Sequence, residues 1–148
     1  MACPFFVPIA KLETGGWLHP SRLPLGAGWE GHCSAPGHEG SIPSEEELQQ
    51  FCNLGYATKC PRLPNQRMCD AVRFSVARDR GSQILFTFVC ESGHRPTACG
   101  TLEYDVGSER WLSPHPGLGI QRLAESYLVC YLERSRRGAG AALENMMP

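Results

Sequence analysis

Cys3, Cys33, Cys52 and Cys60 are the residues whose type and spacing offer the clearest chemistry in this sequence. The chain holds eight cysteines in 148 residues, and these four share its first 65 positions. In a reducing compartment, cysteines at this frequency point to free thiols or metal ligands, not to a disulfide framework. The four are separated by 29, 18 and 7 intervening residues. No pair has the C-x₂-C spacing of a zinc ribbon. Thiolates are soft donors, and four of them suit either zinc or an iron–sulfur cluster. Single cysteines spread along a wrapping segment favour a [4Fe–4S] cluster, whose cubane takes ligands from several directions. Zinc is the alternative, either with the four thiolates or with His32 or His38 completing a Cys₃His set.

Local context supports the cluster expectation. Cys3 and Cys60 are each followed by proline, Pro4 and Pro61. This resembles the final Cys-Pro of the ferredoxin-type run C-x₂-C-x₂-C-x₃-C-P. A proline there steers the chain away from the metal, adds apolar cover and leaves no competing N–H. Lys59, Arg62 and Arg67 lie near Cys60 and would offset the negative charge of four thiolates. Phe5, Phe6, Trp29 and Phe51 each fall within four residues of one of the four cysteines and would exclude water.

The segment that must position these thiols is unusual. Residues 1–65 hold eight prolines and eight glycines, a density that forbids long helices and central strands. The same segment is rich in aromatics, which disordered chains lack, so it needs something to fold around. One helix is expected at 44–53. Ser44 is its N-cap, Glu47 the capping-box partner, and Leu48, Phe51 and Cys52 form an apolar face. Gly55 is a candidate left-handed stop.

From residue 66 the pattern becomes regular. Ala71–Arg78 and Cys99–Val106 alternate apolar and polar residues, as half-buried strands do. Gln83–Cys90 is apolar on both faces, which predicts a central strand covered on both sides. Asp79-Arg80-Gly81 is a hairpin turn signal. An apolar stripe from Ile120 to Tyr131 predicts a helix near 118–136 that covers the sheet. The expected fold is α+β in one domain: an irregular metal- or cluster-wrapping segment (1–65), a three-stranded antiparallel meander with its helix (66–137) and a frayed tail (138–148). The remaining cysteines, Cys69, Cys90, Cys99 and Cys130, fit this scaffold as ordinary thiols, with Cys90 and Cys99 facing each other at a hairpin mouth.

Several function classes are disfavoured. The net charge of −1 argues against a nucleic-acid binder, which would carry a basic excess. No stretch approaches the roughly 20 apolar residues of a membrane span, and the first residues lack the basic start of a signal peptide. A cytoplasmic protein is therefore expected. Gly26-Ala27-Gly28 has neither the preceding strand nor the following helix of a dinucleotide fingerprint. Cys33 with His32 and His38 could serve as nucleophile and base, and Glu91, His94, Glu103 and Asp105 could form a polar site, but a solvated surface explains both groups. The expected role is electron transfer or redox sensing with a protein partner or larger complex, not catalysis. A zinc-stapled interaction module is the alternative.

Overall fold

The computed structural model describes residues 1–13, 17, 19 and 22–146. The chain is α+β, with two antiparallel sheets and a long C-terminal helix. Strands β1 (Phe6–Lys11) and β2 (Trp29–Cys33) form a two-stranded sheet. Strands β3 (Ala71–Asp79), β4 (Gln83–Ser92), β5 (Arg95–Asp105) and β6 (Arg110–Ser113) form a four-stranded meander in sequence order. Helix α1 (Glu45–Glu47) runs into a π-helical turn, Leu48–Cys52, and α2 spans Leu118–Glu144.

Alternation explains the larger sheet. Register pairs Val72 with Cys90, Phe74 with Phe88 and Phe86 with Leu102, so one apolar row crosses three strands. All six of these residues are buried. Helix α2 lays Ile120, Leu123, Ala124, Leu128 and Cys130 into the core, as its 3.6-residue stripe predicts. Phe86 is the pivot: its ring meets Tyr127 and Tyr131 of α2 edge-on, at centroid separations of 6.0 and 6.1 Å. Ala2, Phe6, Leu25 and Trp29 of the breaker-rich half join the same cluster of buried residues.

Four expectations need correction. The meander has four strands, not three; β6 was missed because four residues carrying only Trp111 and Leu112 show no readable period. β4 is buried on one face only, with Leu85, Thr87 and Val89 half-exposed. Helix α2 continues through the expected tail to Glu144, because Ala139, Ala141, Ala142 and Leu143 are strong helix formers that outweigh Gly138 and Gly140. The irregular half contains the β1–β2 sheet. Its strands are short edges on which Pro8 is tolerated at a bulge. Gly31 is required there, since a Cβ would stand 1.9 Å from the Val7 carbonyl oxygen.

Candidate functional site: four cysteines on four segments

Each of the four cysteines is delivered by a different local device. Cys3 follows Ala2, whose N–H and carbonyl both pair with Val72 at the edge strand β3. Cys33 ends β2 and lies opposite Phe6 in register. Cys52 ends the π-helical turn, and its carbonyl accepts the N–H of Cys3 at 3.3 Å. Cys60 sits in a turn where its N–H reaches the Ala57 carbonyl and its own carbonyl accepts from Leu63. The expected capping box is present: Ser44 Oγ accepts the Glu47 N–H, and the Glu47 carboxylate accepts the Ser44 N–H.

The structure brings these four thiols into one electrostatic neighbourhood. All four are half-buried. Burial first, then the neighbouring thiols of Cys3, Cys60 and Cys33, pushes the Cys52 thiol up to about 12. Burial likewise raises Cys3, to about 11, against the pull of backbone N–H groups of Phe5 and Phe6 on its sulfur. Cys33 Sγ accepts the N–H of Ala35 at 3.4 Å. Of the three nearby cations, Arg62 reaches the site: it pairs with Glu47 at 2.8 Å and feels the charge of Cys33 and Cys60. Arg67 is committed elsewhere, to Asp70 and the Pro64 carbonyl. Phe6, opposite Cys33 in register, is buried, while Cys3 and Cys52 pack against the core.

Among the described residues, no three His, Cys, Asp or Glu side chains stand close enough to hold a single metal ion. A tetrahedral zinc draws its thiolates to about 2.3 Å, and hence to roughly 4 Å from one another. An iron–sulfur cubane interposes its own atoms and takes thiolates that stand farther apart. The donor set, four thiols with N–H groups aimed at two of the sulfurs, fits the chemistry of a cluster.

The side chains of Asn53 and Tyr56 hold the site's frame. Buried Asn53 accepts the Trp29 N–H at 2.9 Å and donates to the Trp29 and Leu48 carbonyls, both at 3.0 Å. The residue after Cys52 is thereby clamped to the strand that carries Cys33. Gly55 adopts φ 67°, as a left-handed stop requires, and a Cβ there would meet the Met1 carbonyl oxygen at 2.5 Å. Tyr56 follows, also left-handed, with its ring stacked on His94 at 4.2 Å and its hydroxyl hydrogen-bonded to the Glu91 carboxylate. Burial and that carboxylate push the Tyr56 hydroxyl up to about 12.

The polar grouping of Glu91, His94, Glu103 and Asp105 does not form. Glu91 and His94 meet Tyr56 at one end of the β4–β5 hairpin, whereas Asp105 caps Ser108 at the other. The facing of Cys90 and Cys99 also fails. They are adjacent in the ladder but not opposite, because Cys90 pairs with Ala98, and one is buried while the other is exposed.

Asp70 leads to a prediction about acid stability. The Gly93 N–H and the Arg67 guanidinium hold its carboxyl below the ordinary range. The unfolded chain, with a carboxyl pKa of about 3.9, then takes up the proton first. The stabilisation from Asp70 is complete well above pH 4 and is lost as pH falls through the lower folded value. Asp70→Asn is expected to flatten the fall of denaturant midpoint between about pH 5 and pH 2. An unchanged slope would exclude this role.

Comparison with protein-family models, curated proteins and solved structures finds no match to this chain. Among the described residues, no helix is long and apolar enough to cross a membrane.

Proposed function

We propose that this chain is a small iron–sulfur protein that binds one [4Fe–4S] cluster through Cys3, Cys33, Cys52 and Cys60. The observation that supports the reading is that four thiols, from four segments spread over 58 residues of sequence, lie within range of one another's charge. Nothing in local secondary structure requires that convergence. When bound, such a cluster accepts and releases single electrons. The residues of this chain would set how easily it does so. N–H groups of Phe5, Phe6 and Ala35 stabilise sulfur charge, Arg62 offsets it, and buried Phe6 keeps water away. A protein partner for electron transfer or redox sensing is supported by exposed apolar side chains beside the site. Ile42, 81% exposed, follows the residue whose carbonyl accepts the Cys33 N–H, and Leu54 lies two residues past Cys52.

Metal analysis of anaerobically isolated protein tests the reading. About four irons per chain are expected, in a brown protein bleached by dithionite. One zinc per chain in a colourless protein unresponsive to dithionite would replace it with a zinc-stapled interaction module.

A further inference from the structure

Arg134, Arg136 and Arg137 follow the apolar stripe of α2 and would complement the dipole of a helix that stopped at 136. Helix α2 does not stop there. It runs on to Glu144, about two turns past Arg137, and the dipole acts only within the last turn. Arg134 and Arg137 have a different setting. Three residues apart, they share one face of the helix. Both wall a cavity of about 280 Å³ between α2, the end of β1 and the loop before β2.

That loop is fitted to the arginine. Gly26 adopts φ 79°, and a Cβ there would stand 2.9 Å from Arg134 Nη1 and 2.6 Å from Cys130 Cβ. The Arg134 guanidinium donates to the Gly26 carbonyl at 3.4 Å. Leu25 and Ala27, on either side of Gly26, are buried and fix the loop against the helix. Among the described residues four ion pairs form, and neither Arg134 nor Arg137 takes part in one. The adjoining carboxylate, Glu133, is taken by Lys11. Lys11, and after it Arg137 and Arg136, hold the Glu133 carboxyl below the ordinary range. Glu13 adds one more carboxylate to a wall that carries the cations Lys11, Arg134 and Arg137.

We propose that this cavity binds a phosphoryl dianion, as inorganic phosphate or as the head of a phosphate monoester, between the guanidinium groups of Arg134 and Arg137. Each guanidinium presents parallel N–H donors that match two oxygens of one anion. A carboxylate is used up by a single such fork, whereas a phosphoryl group has enough terminal oxygens to serve both. One phosphorus and its oxygens do not fill about 280 Å³, so the organic part of a monoester has room, and Glu13 can accept from its hydroxyls. This inference does not depend on what the four-thiol site holds.

Calorimetric titration of the full chain tests it, at fixed ionic strength and about pH 7.5, where the second phosphate proton is lost. Inorganic phosphate and glycerol 3-phosphate are the two probes, and acetate is the control. One site per chain is expected, with a dissociation constant of about 1 mM or lower, and acetate should not saturate. Arg134→Gln and Arg137→Gln should each weaken binding roughly tenfold or more. Arg134→Lys should weaken it too, because an ammonium keeps the charge but loses the fork. Arg136→Gln, whose side chain does not line the cavity, should change it by less than about twofold, as a screened distant charge does. Should one glutamine variant fail to fold, the other, set against Arg136→Gln, still decides. Tighter binding of the ester than of phosphate assigns the site to a monoester, and weaker binding assigns it to the free anion. Absence of saturation by either probe below about 10 mM, equal binding of acetate, or an equal loss from Arg136→Gln would overturn the proposal.

Discussion

Replacing any one of Cys3, Cys33, Cys52 or Cys60 with serine is expected to lower iron bound after anaerobic isolation by more than about tenfold. Even partners one step removed from a metal typically cost 10- to 100-fold in affinity when lost, and a serine hydroxyl is a far poorer donor than a thiolate. Cys99→Ser and Cys130→Ser should leave iron unchanged, because one thiol is exposed on β5 and the other is buried on α2, both apart from the four. The contrast between the two sets is the content of the prediction. Cys33→Ser retaining full iron would sink the assignment. In the metal-free protein the thiols of Cys3 and Cys52 are protonated at neutral pH, at about 11 and about 12, so loading must release protons and should weaken as pH falls. Amide exchange in residues 1–65 should also quicken on metal removal, since the four segments then lose a common anchor.

Asn53→Ala is expected to destabilise the fold by roughly 2–4 kcal/mol. Truncation leaves the Trp29 N–H and carbonyl, which β1 does not pair on that side, without partners inside the protein, and each orphaned buried group costs about 1–3 kcal/mol. For a chain of this size the midpoint of thermal unfolding should drop by roughly 5–15 °C. Asn53→Asp should not rescue it. A carboxylate can still accept from the Trp29 N–H, but it faces the Trp29 and Leu48 carbonyls with no hydrogen to give. Calorimetry of the two variants decides the matter, and a loss below about 1 kcal/mol for alanine would show that water replaces the side chain. Because Asn53 adjoins Cys52 and grips the strand of Cys33, the same variant should bind metal less tightly.

Much of the frame was legible from neighbouring residues. Ser44 and Glu47 announce a helix start because both capping partners lie three positions apart. The strands at 71, 83 and 99 and the stripe from Ile120 to Tyr131 announce themselves by period. Short or contradictory signals were lost. β6 has too few residues for a period, β1 is masked by Pro8, and the end of α2 is masked by Gly138 and Gly140, glycines that strong helix formers overrule. The turn at Cys52 is indistinguishable from ordinary helix in sequence, since a π-helical turn differs in hydrogen bonding and not in residue type.

The cysteines divide along the same line. Their number, their placement in a breaker-rich and aromatic-rich segment and the prolines after Cys3 and Cys60 are properties of the chain alone, and they suffice to single out four thiols. Which thiols meet is decided by folding. The Cys3 N–H donates to the Cys52 carbonyl, Asn53 ties the residue after Cys52 to the strand of Cys33, and Cys90 faces away from Cys99 because alternation sends neighbouring ladder positions to opposite faces of the sheet. Cys3 and Cys52 are 49 positions apart and Trp29 and Asn53 24, separations at which spacing in sequence carries no information about distance in space.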